Sequence, residues 1–224
     1  MEIGDSAFRG TDLGGTLVIP AKLTTIGPSA FADNKLTGLD LSKATSLTRI
    51  GDGAFFGTTG LAGTLVMPAK LTTIGTSAFQ HTELTGLDLS NATSLVEIGD
   101  RAFLDTVLQG TLVMPLRVRT IGSEAFWNTE LTGLDLSKAT SLVEIGGRAF
   151  ADTNLEGTLV IPAKLTTIGP SAFDNTKLTH LDLSKATSLV QLVETGYSAF
   201  YHTGLQGTLV IPSTVTKIGS QRPS

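Results

Sequence analysis

One short pattern of apolar and polar positions recurs along almost the whole chain. An Ile-Gly-x-x-Ala-Phe block occupies residues 3–8 and recurs as far as residues 168–173, and a degenerate copy ends at Phe200. Successive phenylalanines of these blocks lie 23 or 24 residues apart, and the last interval is 27 residues. We expect a local bulge there, at the inserted residues 193–195. A strict period of this length predicts a solenoid, not two globular domains.

Two kinds of coil alternate and pair into a unit of 47 residues. The first kind carries Gly-Thr-Leu-Val-Ile/Met-Pro, beginning at Gly15, Gly63, Gly110, Gly157 and Gly207. The second kind carries Leu-Asp-Leu-Ser, beginning at Leu39, Leu87, Leu134 and Leu181. Alternation with a period of two predicts a short strand in each coil, with Leu17 and Ile19 pointing inward. Pro20 follows at once and should end the strand, because proline has no N–H for ladder pairing.

The Ala-Phe part of each block predicts a tight helical turn packed beneath the strands. Small Ala30 next to large Phe31 suits an α-helical or 3-10 turn, and the repeated phenylalanines should stack as a spine of the core. The position three residues after the phenylalanine is usually threonine and once Asn34, which predicts an inner ladder of hydroxyl groups. These threonines are Thr11, Thr82, Thr106, Thr129, Thr153, Thr176 and Thr203.

Strand, proline, Leu-Thr-Thr-Ile-Gly and Ala-Phe together resemble the BspA-like (treponemal-type) leucine-rich repeat family. The resemblance runs from Ile3 to Gly219. It implies a right-handed leucine-rich-repeat solenoid with short parallel strands on the concave face and short helical or 3-10 turns on the convex face. We therefore predict one solenoid of about nine coils over residues 1–219, in alternating 23- and 24-residue repeats, followed by a polar tail at residues 220–224.

Composition narrows the classes of partner. Hydrophobic residues make up 41% of the 224 residues and charged residues 16%, enough to bury a core. The net charge of -4 and the pI near 5.3 do not indicate the basic surface that binds nucleic acid. No apolar run is long enough to cross a bilayer. Since the chain has no cysteine, a disulfide framework, a thiolate metal site and a cysteine nucleophile are excluded. Neither nucleic acid nor membrane insertion is expected.

No pattern typical of an enzyme is present. His81, His180 and His202 lack the spacing of paired metal ligands. The glycines are not followed by the Lys-Ser/Thr of a phosphate loop, and the serines belong to the repeat. The sequence predicts a protein without catalytic, metal or cofactor sites.

The first candidate binding surface is the outward residue of each strand. Nine strands about 4.8 Å apart would form a concave sheet on the order of 40 Å long. Valine and aspartate would alternate along it: Val18, Asp40, Val66, Asp88, Val113, Asp135, Val160, Asp182 and Val210. This row is either a binding face for an extended macromolecule or a solvated sheet whose aspartates pair with Lys43, Lys138 and Lys185.

The second candidate surface is the position directly after each phenylalanine, which varies within an otherwise strict repeat. Its large apolar members are Phe56, Leu104, Trp127 and Tyr201. If this coil edge is exposed, these side chains are candidate anchors for a partner, whereas the alternative is partial packing against neighbouring coils.

The resemblance implies a role as well as a fold. Relatives are often surface-exposed adhesion or host-interaction proteins, so a protein-binding module at the cell surface or secreted is expected, with an unidentified protein or other extended macromolecule as its partner. An intracellular scaffold or structural repeat protein is the alternative, because a repeat motif begins two residues after Met1 and any export signal would have to lie outside this chain. A more distant alternative is an ice-binding array built from threonine pairs such as Thr24 and Thr25.

Neither end carries a polar capping unit, which predicts end-to-end self-association.

Overall fold

The computed structural model describes residues 1–192 and 198–218, which wind into a stack of coils without a helix. The insertion at residues 193–195, where a bulge is predicted, and the tail at residues 220–224 lie outside the described residues. Every strand pairing is parallel, because each coil runs in the same direction as the one before it.

One side of the stack is a continuous sheet of ten two-residue strands, here called the ladder sheet. Its strands are β1 (Glu2–Ile3), β3 (Thr25–Ile26), β5 (Arg49–Ile50), β7 (Thr73–Ile74), β9 (Glu97–Ile98), β11 (Thr120–Ile121), β13 (Glu144–Ile145), β15 (Thr167–Ile168), β17 (Gln191–Leu192) and β18 (Lys217–Ile218). Isoleucine pairs with isoleucine in adjacent coils, as Ile26 does with Ile50. The isoleucine side chains on the inner face of the sheet therefore form a buried column in the core.

The longer strands form four separate two-stranded sheets, here called ribbons. The ribbons pair β2 (Gly14–Val18) with β4 (Lys35–Asp40), β6 (Ala62–Val66) with β8 (Glu83–Asp88), β10 (Gln109–Val113) with β12 (Glu130–Asp135), and β14 (Glu156–Val160) with β16 (Lys177–Asp182). The prediction of one nine-stranded concave sheet is therefore wrong. The last copy of the motif, around Val210, forms no strand.

Proline removes one donor at the break between ribbons. Met67 donates its N–H to the Asp88 carbonyl of the next coil at 2.9 Å. Since main-chain groups alternate in direction along a strand, the following residue should donate toward the preceding coil. That residue is Pro68, which has no N–H. The side of the strand that faces the previous ribbon therefore has one donor fewer, and no ladder pairing is made there.

The Ala-Phe segments are turns, and the predicted helical or 3-10 turns are wrong. Ala30 and Ala32 donate their N–H groups three residues back within their own coil, whereas Phe31 and Asp33 donate to carbonyls of the next coil at 2.8 Å. Ser29 and Asp33 have φ values of 51° and 56°. A left-handed residue at every fourth position interrupts a helix, so half of the N–H groups bond between coils.

The glycine that follows each isoleucine is required by the close approach of adjacent coils. A Cβ atom at Gly99 would lie 2.7 Å from the main-chain carbon of Gly75. Because the obstacle is backbone, no side-chain movement would relieve it. The glycines of the blocks from Gly27 to Gly169 all have such a contact, whereas Gly4, in the first coil, has none.

The predicted phenylalanine spine is confirmed. Nine rings stack in one column with neighbouring centroids 5.2–5.5 Å apart and planes within 8° of parallel. Phe8, at the start of the column, is 41% exposed, whereas the seven rings from Phe31 to Phe173 are buried. The separation exceeds the spacing of parallel strands only slightly, so the rings follow the coil repeat.

The predicted hydroxyl ladder is confirmed as well. Thr106 is buried and donates its hydroxyl to the Phe103 carbonyl at 2.9 Å, and equivalent bonds are made by Thr82, Thr129, Thr153 and Thr176. Asn34 satisfies several groups at once, donating to the Phe8 carbonyl and accepting from Leu13. Thr58, three residues after Phe55, donates instead to the Phe31 carbonyl.

We expect Phe103→Ala to destabilise the protein by about 3–5 kcal/mol, because it removes a buried ring and leaves a cavity between two stacked neighbours. Phe8→Ala, at the exposed end of the same column, should cost less than half as much. Urea unfolding of both variants measures the difference. Equal losses at the two positions would contradict the stacked core.

Thr106→Val keeps the shape of the side chain but leaves the Phe103 carbonyl without its hydroxyl donor. The expected loss is about 1–3 kcal/mol in the free energy of unfolding. Thr106→Ser retains the hydroxyl and is the control, with a loss of about 1 kcal/mol for the missing methyl group. A valine variant more stable than the serine variant would refute this role for the hydroxyl.

Candidate binding surface

The ribbons bring the predicted valines and aspartates side by side. Val18 is in register with Asp40, and the same pairing joins Val66 to Asp88, Val113 to Asp135 and Val160 to Asp182. These four valines are 37–48% exposed, whereas the neighbouring Leu65, Leu112 and Leu159 are buried. Val210, on the segment without a strand, is 75% exposed. An exposed aliphatic side chain therefore recurs once in every ribbon.

The aspartates of this row close the turn that follows each strand. Asp40, Asp88, Asp135 and Asp182 each accept the N–H of the serine two residues later at 2.8 Å. Hydrogen bonds from that serine, first from its hydroxyl and then from its N–H, lower the pKa of each carboxyl group below its ordinary value. The nearby Lys43, Lys138 and Lys185 act in the same direction, more weakly, at three of the four positions. The carboxylates thus serve the fold as turn caps.

Three grooves separate the four ribbons, here called the ribbon grooves. Their volumes are about 670, 750 and 450 Å³ in chain order. Each lies between a Leu-Asp-Leu-Ser segment and the next Val-Ile/Met-Pro segment. In the second groove the lining includes Leu87, Asp88, Val113, Met114 and Lys138. The sequence does not predict these grooves, because a continuous sheet would have none; the proline after each first-type strand is the signal in the sequence that pairing is interrupted.

The second candidate edge is mostly packed. Leu104 is 6% exposed, so its expected exposure is wrong, and Phe56 and Trp127 are half-buried. The Trp127 indole donates to Asp152 at 2.6 Å, and the Arg148 guanidinium lies 5.7 Å from the ring centroid. Only Tyr201 of the four is clearly exposed, at 37%. These residues do not form one continuous exposed patch, which favours the packing alternative.

The threonine pairs lie along the ladder sheet, and some of their hydroxyl groups form hydrogen bonds to its main chain. Thr72 and Thr166 of these pairs, and the single Thr48, donate to main-chain carbonyls of the preceding coil at 2.8–3.0 Å. Arg49, Glu97 and Glu144 alternate with threonine along the neighbouring column. A flat, uniform hydroxyl array of the kind expected for ice binding is not formed.

His81 and His202 lie on turns, whereas His180 lies in β16. His81 Nδ1 lies 3.2 Å from Asp105 Oδ2, and His202 Nδ1 lies 3.4 Å from Asp174 Oδ1. Within residues 1–192 and 198–218, no group of three or more His, Cys, Asp or Glu side chains is placed to hold a metal ion. None of the residues in these ranges belongs to a helix long and apolar enough to cross a membrane.

Comparison with known families agrees with this architecture. The BspA-type leucine-rich repeat region matches residues 1–109 and 96–222, almost the whole chain. The chain belongs to this family. No curated protein matches the sequence.

Solved structures include other leucine-rich repeat proteins similar to this BspA-type chain. A leucine-rich repeat protein from Bacteroides ovatus is 20% identical, with a TM-score of 0.47, and the match covers 98% of this chain and 78% of that one. A leucine-rich cell surface protein from Faecalibacterium prausnitzii is 19% identical, with a TM-score of 0.43 and coverage of 97% and 78%. The pneumococcal vaccine antigen PcpA is 16% identical, with a TM-score of 0.34 and coverage of 98% and 72%. The family assignment rests on the family match.

The capping role of the aspartates predicts how stability depends on pH. Because the folded carboxyl groups have a lowered pKa, the unfolded chain binds more protons near pH 4, and stability rises with pH there. A variant with Asp40, Asp88, Asp135 and Asp182 changed to Asn should be less stable than the parent above about pH 5. The two melting temperatures should converge as the pH falls below about 4.

Thermal unfolding between about pH 2.5 and 7, followed by circular dichroism, measures this effect. Asparagine still accepts the serine N–H, so the variant folds. A difference in melting temperature that grows on acidification would contradict the assignment.

Proposed function

We propose that this BspA-type solenoid is a non-enzymatic protein-binding module that holds an extended partner across its ribbons. The observation that carries the proposal is the row of exposed valines at equivalent positions of four ribbons. A single exposed valine needs no explanation, whereas a regular row of them bordering three grooves is a surface suited to association.

The repetition of the surface favours many similar contacts over one deep site. Each ribbon presents the same valine and aspartate in the same register, so a partner that spans several ribbons gains from each weak contact in turn. The three ribbon grooves differ in volume but share one kind of lining, aliphatic with one aspartate and one lysine. An elongated partner uses such a surface better than a compact small molecule does.

The finer proposal is that the module acts at the cell surface or after secretion, in adhesion or host interaction. Membership of the BspA-type family supports this role. The same ribbons would serve an intracellular scaffold equally well. The two roles differ in the partner, and the experiment below therefore begins with extracellular proteins.

The test is binding of the intact chain to a panel of purified extracellular-matrix and cell-surface proteins. A variant with Val18, Val66, Val113 and Val160 changed to Thr should bind the identified partner at least about tenfold more weakly, a loss of about 1.4 kcal/mol. Threonine is chosen because it keeps the β-branched shape of valine. Biolayer interferometry with an equal concentration series measures both proteins.

The matched control changes Thr25, Thr73, Thr120 and Thr167 to Ser, which places four conservative substitutions at the same spacing on the ladder sheet. It should bind like the parent. Unchanged binding by the valine variant would move the site away from the ribbons, and a third variant, with Phe56, Trp127 and Tyr201 changed to Ala, would then test the second edge. If no protein of the panel binds the parent, the extracellular role is refuted.

A further inference from the structure

We propose that one corner of the solenoid fixes the position of the partner by binding a bulky apolar side chain and a neighbouring carboxylate of an extended polypeptide. The residues concerned, here called the corner patch, are Val96, Val113, Leu116, Arg119 and Val143. This inference rests on the proposed function and names the chemistry by which a partner selects one position among equivalent ribbons.

Equivalent ribbons alone do not fix where an extended partner lies. The four ribbons present the same valine and aspartate in the same register. A partner that moves by one ribbon exchanges each of these contacts for an identical one, so the contacts have the same free energy at either position. One position is selected only by a surface feature that the other ribbons lack.

One corner departs from the repeat in this way. The same six residues, Pro-Ala-Lys-Leu-Thr-Thr, follow the ribbon strand at residues 20–25, 68–73 and 162–167. The corresponding residues 115–120 are Pro-Leu-Arg-Val-Arg-Thr, so Leu116 replaces an alanine and Arg119 replaces a threonine. The last copy, residues 212–217, also differs, but the motif there forms no ribbon.

Leu116 adds apolar surface to the largest of the three grooves. Its side chain is 54% exposed and lines the second ribbon groove together with Val113. In the first and third grooves the equivalent residues are Ala69 and Ala163. The second groove can therefore cover a bulky apolar side chain of a partner more completely than its neighbours can.

Arg119 places an unpaired positive charge between two valines. Its N–H donates to the Val96 carbonyl at 2.8 Å, and its carbonyl accepts the Val143 N–H at 2.9 Å, so the three residues lie side by side on adjacent coils. The arginine is exposed and forms no ion pair with any side chain of residues 1–192 or 198–218. Its guanidinium group is available to donate to a carboxylate of a partner in bidentate geometry.

The surrounding charges favour a single carboxylate. Glu97 and Glu144 follow the two valines along the chain, and both are in register with Thr120. They would repel a run of acidic residues on the partner. Compared with its sister coils, the corner has gained one aliphatic side chain and one positive charge, and the matching segment carries one bulky apolar residue close to one aspartate or glutamate.

The test begins with random peptides displayed on phage and selected on the immobilised intact chain. The selected peptides should share a bulky apolar residue that is adjacent to an aspartate or glutamate or separated from it by one residue. A fluorescein-labelled copy of the most frequent peptide is then titrated with the chain and its variants, and fluorescence anisotropy measures binding.

Variants that restore the repeat locate the contact. Leu116→Ala and Arg119→Thr each introduce the residue that three sister coils carry, so the fold is retained. Each should weaken binding of the labelled peptide at least about fivefold. Arg117→Lys is the matched control, because it also restores the residue of the sister coils but keeps the charge of the turn. It should bind the peptide like the parent.

A second patch can be built in a sister coil. Thr166 donates its N–H to the Val143 carbonyl and accepts the Val190 N–H, so it lies between two valines as Arg119 does. Ala163 lines the third groove. The double variant Ala163→Leu, Thr166→Arg should bind two peptides per chain where the parent binds one, as measured by isothermal titration calorimetry.

Each contrary outcome has a definite meaning. Selected peptides without an acidic residue, equal binding by the Arg119→Thr variant, or a selection that yields no peptide specific for the chain would overturn the proposal. If a panel protein binds through the ribbon valines and binds the Leu116→Ala and Arg119→Thr variants like the parent, this inference fails while the proposed function stands. If peptides bind at the corner patch and no panel protein binds, the patch stands and the extracellular role fails.

Discussion

The structure depends on the direct stacking of one coil's backbone on the next. Two-residue strands of the ladder sheet and the alternate N–H groups of the Ala-Phe turns both bond from coil to coil. The glycine after each isoleucine admits this approach, since a Cβ atom at Gly99 would meet the backbone of Gly75. Once adjacent coils are in contact at this distance, the phenylalanine rings have no arrangement available except a column.

Stacking also determines how the surface is organised. Equivalent residues of successive coils lie in a line along the solenoid. The residue type at one position of the repeat therefore sets the chemistry of a whole line of side chains. Buried lines carry phenylalanine, isoleucine and threonine hydroxyls, while the ribbon line carries valine and aspartate. The aspartates of that line cap turns, whereas the exposed valines beside them make no contact on which the fold depends.

The two sides of the stack differ in how far strand pairing continues. On the ladder sheet, N–H groups remain available in every coil and pairing continues without interruption. On the ribbon side, no ladder pairing joins one ribbon to the next, and Pro68 and its equivalents remove one donor that would face the preceding ribbon. The result is a solenoid with a continuous sheet on one side and four separate ribbons on the other. Unpaired strand edges and aliphatic side chains line the three grooves between the ribbons.

The sequence by itself determined the solenoid, the coil period, the phenylalanine spine, the threonine ladder and the outward position of the valines. All of these follow from periodicity, because a repeated residue in a repeated coil must recur at the same place. It did not determine whether Ser29 and Asp33 adopt left-handed conformations, which replace a helical turn with bonds between coils. Nor did it determine which strands pair, since the valine row has the same pattern in a continuous sheet and in separate ribbons. Only the tertiary structure decided these points, because hydrogen bonding between coils depends on the direction of each N–H group and on the partner that the neighbouring coil offers.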